Sequence, residues 1–327
     1  MATNRKSKAA ANGAQHVNGA TANGAAGSDG RKHVVVIGAG IGGCCLAARL
    51  GKLGHKVTVL EKNSFSGGRC SLIEEKGHRW DQGPSLYLMP ELFEQAFADL
   101  GEDVKDHYDL KLCNPTYNIH FADGEKIRLT SNIAEMGPQL DRFERPHGVK
   151  DPVGNYISFL KEAGDHYEES VKHVLLRDWS LGPLSLLRAD LIPMLIRTKA
   201  LHVYRSLYGR ASGFFKSSHV RQAMTFSSMY MGMSPYHAPS TYSLLQYAEN
   251  CKGVYYPIGG FHKVVESFET IAREKYGVEF RYNTNVRKVI SNFKQPGRLS
   301  AVELEDGTDI EADVVVCNAD LVWAYNK

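Results

Sequence analysis

Four consecutive apolar residues, 34–37, run straight into glycine, and the rest of the chain is read outward from that junction. A short unbroken apolar run bounded by glycine suits a strand buried on both faces. The period then changes: Leu46, Leu50 and Leu53 recur at helical spacing, and Gly54 stops the pattern. Residues 56–60 repeat the strand signature and close on an acid, Glu61. Strand, helix and strand in this order predict a βαβ unit with parallel strands.

Further along the pattern predicts other elements. Residues 91–100 place Leu92, Phe93, Ala96, Phe97 and Leu100 on one helical face, which reads as core. Residues 117–130 alternate apolar and polar around Asp123-Gly124, the signature of a β-hairpin and hence of a separate, antiparallel sheet. Residues 151–221 read as helical. Tyr256-Pro257-Ile258-Gly259-Gly260-Phe261 leads into a helix running through Arg273. Residues 278–289 and 299–317 read as strands, joined partly through Asp306-Gly307 and ending in the polar turn Asn318-Ala319-Asp320. Residues 77–85, GHRWDQGPS, read as an apolar-poor turn that can lie against a cofactor ring. The predicted fold class is α/β: a discontinuous Rossmann-type domain over 31–110 and 254–327, and a second α+β domain over 111–253.

The first junction carries chemistry. Gly38-Ala39-Gly40-Ile41-Gly42-Gly43 fits G-x-G-x-x-G. Gly38 permits the tight turn, Gly40 lets backbone approach a pyrophosphate, and Gly43 lets the helix pack closely on the strand. Phosphate charge would sit at the helix N-terminus. Glu61, about 20 residues on, is placed to accept from a ribose diol and to disfavour a 2′-phosphate. The alternative, a glycine-rich structural turn, does not account for strand, helix, second strand and acid falling in register. Gly67-Gly68-Arg69 follows, offering backbone donors and a guanidinium for phosphate oxygens or a flavin edge, with a solvated surface turn as the plainer reading.

Composition narrows the rest. A net charge of +3 over 327 residues is too small to argue for a nucleic-acid partner. The six cysteines form no C-x-x-C pair, which suits free thiols in a reducing compartment and no metal site. Residues 1–30 are rich in Ala, Asn and Gly without an apolar core, so they read as a disordered tail rather than a secretory signal, with a transit peptide as the alternative. No apolar run reaches the length of about 18 residues that a spanning helix requires. Residues 181–209 are rich in Leu and Ile. Arg188, Arg197, Lys199, Arg205, Arg210, Lys216 and Arg221 are opposed locally only by Asp190. Such a stretch either lies in a lipid interface or packs on the protein's own core with a solvated basic face. Pro193 argues against one continuous helix. Residues 225–247 are dense in Met and Tyr, suiting either a tunnel for a long hydrocarbon or ordinary core.

These motifs together resemble the flavin-dependent carotenoid desaturases of the bacterial and fungal phytoene desaturase type, within the amine-oxidase-like flavoproteins. The matching residues are Gly38 to Gly43, Glu61, Gly67-Gly68-Arg69 and Asp81-Gln82-Gly83-Pro84-Ser85. They continue with Met229-Tyr230-Met231-Gly232-Met233-Ser234-Pro235, Tyr256-Pro257-Ile258-Gly259-Gly260-Phe261-His262 and Asn318-Ala319-Asp320. The Met-Tyr-Met-Gly-Met and Tyr-Pro-x-Gly-Gly-Phe segments are the specific ones; the earlier motifs are shared by many flavoproteins.

The resemblance implies FAD, with cofactor-binding residues Gly38, Gly40, Ile41, Gly42, Gly43, Glu61, Lys62, Gly68, Arg69, Gly83, Pro84, Ser85 and Val286. It implies an amine-oxidase-like fold whose second domain holds substrate. It also implies oxidation of phytoene toward lycopene-type polyenes, at a membrane surface facing the cytoplasm, with oxygen or a quinone as electron acceptor. The chemistry needs positioning and exclusion of water more than side-chain catalysis, so no catalytic residue is nominated. His262 and Arg69 are the polar candidates near the flavin. The family carries a further C-terminal glycine-rich segment, absent here, so the chain is expected to be C-terminally truncated, with its activity as it stands left open. Two other readings stay open: a different FAD oxidoreductase or isomerase of an apolar substrate, and a non-catalytic prenyl- or lipid-binding relative.

Overall fold

The computed structural model describes residues 30–177, 182, 188–199, 202, 204–291 and 299–326. The expected tail, apart from Gly30, and residues 181, 183–187, 200, 201 and 203 of the leucine-rich stretch lie outside the described residues.

The predicted βαβ unit is present as His33–Ile37 (β1), Ile41–Lys52 (α1) and Lys56–Leu60 (β2). These strands belong to a four-stranded parallel sheet in the order Val314–Cys317, β1, β2, Glu279–Arg281. The β1 strand is buried on both faces, as its unbroken apolar run predicts. Val34 and Val36 face a core shared with α1 and the helix His262–Thr270. Val35 and Ile37 face Val286, Val302, Leu304 and Ile310 of an antiparallel sheet formed by Val286–Ser291, Leu299–Leu304 and Asp309–Glu311. Helices, parallel sheet and antiparallel sheet thus form three layers around β1.

The helix α1 meets the sheet through small residues. Its buried face is Gly43, Cys44, Ala47 and Ala48; Leu46 and Leu50 are half-buried and Leu53 is exposed. The leucine spacing therefore located the helix but not the face it buries. Gly54 ends it as predicted, at φ +85°, with Gly54 N–H donating to Gly51 O and His55 N–H to Leu50 O.

A second core lies beyond. The hairpin Tyr117–His120/Lys126–Leu129 forms around Asp123-Gly124, and its Ile127 and Leu129 pack on Met136, Leu140, Tyr156, Phe159 and Phe215. Two of the helices on it are capped by side chains: Asn132 accepts from Ala134 N–H ahead of Ile133–Glu144. Asp151 accepts from Gly154 N–H ahead of Pro152–Ser170. The chain leaves and re-enters the first core side by side, since Leu110–Leu112 pairs antiparallel with Tyr255–Pro257.

Two expectations need correction. Residues 77–85 are not one turn: Leu72–Glu75 and His78–Asp81 form a hairpin, and Lys76 and Gly77, at φ +51° and +80°, make its two-residue turn. Both strands are mostly exposed, so no apolar alternation marked them. The basic stretch is also not opposed by Asp190 alone. Arg197 binds Asp165, Glu168 and Glu169 at 2.8 Å each, and Lys199, His202 and the buried Arg210 converge on Glu162. All four acids lie on Pro152–Ser170, too far back for a local count of charge to register. Pro193 is the third residue of the short helix Leu191–Arg197, within the first turn where its missing N–H costs nothing.

Burial alone would raise the Glu162 carboxyl, but Arg210, Lys199 and His202 together hold it at about 2 against an ordinary 4.5. Its stabilisation is complete above pH 4.5 and is lost as pH falls toward 2. Glu162→Gln is expected to lower unfolding free energy at neutral pH by ~3 kcal/mol, because Arg210 stays buried without its counter-charge. It should also remove that part of the acid sensitivity. Urea unfolding at several pH values checks both, and an unchanged midpoint at pH 7 would contradict the pairing.

Candidate dinucleotide site

The carboxyl ends of β1, β2 and Val314–Cys317 open on a cleft of about 760 Å³. Ligands of open parallel sheets bind at such ends. Gly38 turns the chain from β1 at φ +99°, its N–H donating to Leu60 O at 2.8 Å. Gly40 precedes α1 in extended conformation, and no side chain caps the helix. The first-turn N–H groups and the positive end of the helix dipole are left for an anion. Gly43 is fixed by contact: a Cβ there would lie 2.1 Å from Gly38 O. The glycine is what lets α1 cross β1 at this distance.

Glu61 is buried at the end of β2. Its Oε2 accepts from Ala39 N–H at 2.8 Å and its Oε1 from Asn63 N–H at 2.9 Å. These two donors replace water around the charge and fix the carboxylate, leaving further lone pairs for a diol. Its own N–H donates to Arg281 O and its carbonyl accepts from Thr284 N–H, so the fourth strand also holds it.

The second loop docks on the first. Gly67 N–H donates to Ala39 O at 2.8 Å, and Gly67 and Gly68 take φ +110° and +56°. Arg69 reaches across the cleft mouth to Asp320, 2.6 Å away. The N–H of Trp323 and then Arg69 hold the Asp320 carboxyl below its ordinary range.

Ten of the expected residues line one cleft: Gly38, Gly40, Ile41, Gly42, Glu61, Lys62, Gly68, Arg69, Pro84 and Val286. Three do not. Gly43 acts through helix packing. Gly83 lies behind the second loop, where a Cβ would meet Arg69 O at 1.9 Å, and Ser85 is exposed outside the cleft. The expected cofactor-binding set left out Thr284, Asn285 and Trp323, and also Asn318 and Asp320 of the matching Asn-Ala-Asp turn, all of which line it. Asn318 matters most, since its amide lies over the first turn of α1, 2.8 Å from where a Gly42 Cβ would be. The signal was its position, directly after a buried strand. His262 faces a separate polar cleft of about 510 Å³ behind the second loop, and its Nδ1–H donates to Cys70 O at 3.0 Å.

An uncapped helix start, glycines at each close approach and a buried, fixed carboxylate suit the phosphates and ribose of a dinucleotide. Gly43→Ala is expected to abolish FAD retention, whereas Gly213→Ala, on the helix Leu207–Phe214 with no atom within 4 Å of the new Cβ, leaves it intact. Fluorescence titration of each purified variant with FAD reads this, and normal retention by Gly43→Ala would contradict the packing argument.

Residues 41–322 match the family model described as flavin containing amine oxidoreductase. The chain is 48% identical over 296 residues to a phytoene desaturase of Phycomyces blakesleeanus, covering 90% of this chain and 49% of that protein. It is 48% identical over 298 residues to a phytoene desaturase of Cercospora nicotianae, covering 91% and 46%. The chain spans about half the length of these curated relatives. Among solved structures it resembles the PF1083 protein of Pyrococcus furiosus, at TM-score 0.54 and 18% identity over 89% of this chain and 60% of that one, a likeness of fold. The expected amine-oxidase-like α/β fold is thereby borne out. The chain belongs to the flavin-containing amine oxidoreductase family, and FAD is the dinucleotide its cleft serves.

Proposed function

We propose that this chain serves FAD-dependent desaturation of phytoene toward lycopene-type polyenes. The observation that carries the reading is 48% identity to a phytoene desaturase over 90% of the chain, from cofactor cleft through Met/Tyr segment. Bound FAD would supply the hydride acceptor. The chain's own residues do the rest: the α1 N-terminus and Glu61 anchor the ADP half, and the second loop closes on it through Gly67 and Arg69.

The apolar surface supports a water-insoluble substrate. Met229 and Met231 are 65% and 53% exposed, and Tyr230 and Tyr236 are exposed beside them. Adaptable thioethers and amphipathic rings at a surface suit an elongated hydrocarbon. A second apolar group lies on the basic stretch and just before it: Leu175, Leu176, Ile192, Leu195, Ile196 and Tyr204 are exposed, Ile196 by 74%. Among the described residues no helix is long and apolar enough to cross a membrane. We read this group as a peripheral contact with the cytoplasmic face of a bilayer, from which phytoene is drawn. Oxygen or a quinone would reoxidise the flavin.

Two measurements test this. The flavin-loaded protein, given phytoene in phosphatidylcholine liposomes, should form coloured polyene, and colourless product with flavin bound would contradict the substrate assignment. Ile192→Glu with Ile196→Glu is expected to reduce sedimentation with those liposomes about tenfold without altering flavin binding. Equal sedimentation would contradict the contact.

A further inference from the structure

Four fully or nearly fully buried glutamates lie among the described residues, and three have obvious partners. Glu61 takes two backbone N–H groups, Glu144 takes those of Lys216 and Ser217, and Glu169 takes Arg197 and His173. Glu249 has neither a cation nor a backbone donor. It is fully buried, its Oε1 has no hydrogen-bonded partner among the described residues, and Gln246 Nε2 approaches its Oε2 only at a long 3.4 Å. A buried carboxylate so poorly compensated favours its neutral form.

The titratable groups facing it are two phenols: Tyr117 from the hairpin and Tyr230 from the turn Phe226–Met231. Their hydroxyls are hydrogen-bonded to each other. Cys113 bears on Tyr117, and Cys251, on Glu249's own helix, bears on Tyr156 instead. Burial pushes Glu249 up to about 7, with the two hydroxyls opposing it. Burial drives both phenols far above their ordinary range, so they can pass a proton on but do not hold a negative charge. Tyr230 is also partly exposed, between the exposed Met229 and Met231. Tyr117 lies five residues after Leu112 and Glu249 six residues before Tyr255, on either side of the strand pair Leu110–Leu112/Tyr255–Pro257 at the seam between the two cores.

We propose that Glu249 is a proton-accepting site that exchanges with the Met229–Met231 surface through Tyr230, paired with Tyr117. Its use in catalysis rests on the polyene reading above. Each new double bond removes a hydride, which goes to flavin, and a proton from the neighbouring carbon, whose C–H electron pair becomes the new C=C bond. That proton passes to the Tyr230 oxygen while the Tyr230 proton moves to the Glu249 carboxylate, which becomes a neutral acid. Return of that proton through Tyr230 to solvent restores the carboxylate for the next step.

Infrared titration of the purified protein tests the site without turnover. A protonated-carboxyl stretch should disappear as pH rises through about 7 and be absent in Glu249→Gln, which keeps shape and hydrogen-bonding groups. Tyr230→Phe should retain the stretch but slow its deuterium exchange. No stretch lost in Glu249→Gln overturns the proposal. With phytoene in liposomes, Glu249→Gln should slow conversion about 100-fold at unchanged flavin binding, with Glu249→Asp partly restoring it. Normal conversion by Glu249→Gln overturns the catalytic use. Absence of conversion by the unaltered protein overturns the polyene reading, and the catalytic use with it, while the infrared result still decides the site.

Discussion

Everything at the cofactor end depends on how closely α1 crosses β1. A Cβ at Gly43 would lie 2.1 Å from Gly38 O, so only glycine allows the crossing. That approach brings the uncapped helix start over the carboxyl end of the sheet. It also places Ala39 where its N–H meets Glu61 and its carbonyl meets Gly67 N–H. One tripeptide turn thus ties together the ribose-facing acid, the second loop and the helix dipole. Its outer side is completed from far along the chain, where Asn318 follows the strand paired with β1.

The second core is held to a different rule. Its helix Pro152–Ser170 carries the acids that neutralise the basic stretch, so the cations secure that stretch to the protein. The apolar residues between them, Ile192 and Ile196, are left outward. Cations tied to acids of the protein's own helix, with apolar side chains exposed between them, depart from an ordinary soluble surface and underlie the proposed bilayer contact. The exposed methionines and the buried Glu249 belong to the same half of the molecule, which concentrates the apolar and proton-handling features away from the phosphate-binding turn.

The sequence made the βαβ unit, its glycines, Glu61 and the hairpin at Asp123-Gly124 legible, because each is governed by residues within a few positions of one another. Gly54 ended its helix and Asp123-Gly124 turned its hairpin as local rules require. What was hidden depends on distant partners. The leucines of α1 gave its period but not its buried face, because close approach to the sheet selects Ala47 and Ala48. The exposed hairpin around Lys76-Gly77 has no apolar alternation to betray it. Glu162 and Arg210 meet only in three dimensions, as do Asn318 and Gly42. Glu249 drew no notice, since nothing in a linear reading marks a carboxyl as buried without a counter-charge.

The central claim is that Glu61, fixed by Ala39 and Asn63, reads an unmodified ribose beside the α1 N-terminus. Displacement of bound FAD by ADP and by its 2′-phosphorylated analogue tests it most directly. The account predicts that ADP competes and that the 2′-phosphate analogue competes at least tenfold more weakly, an advantage lost in Glu61→Gln. Equal competition by the two nucleotides in the unaltered protein would contradict it.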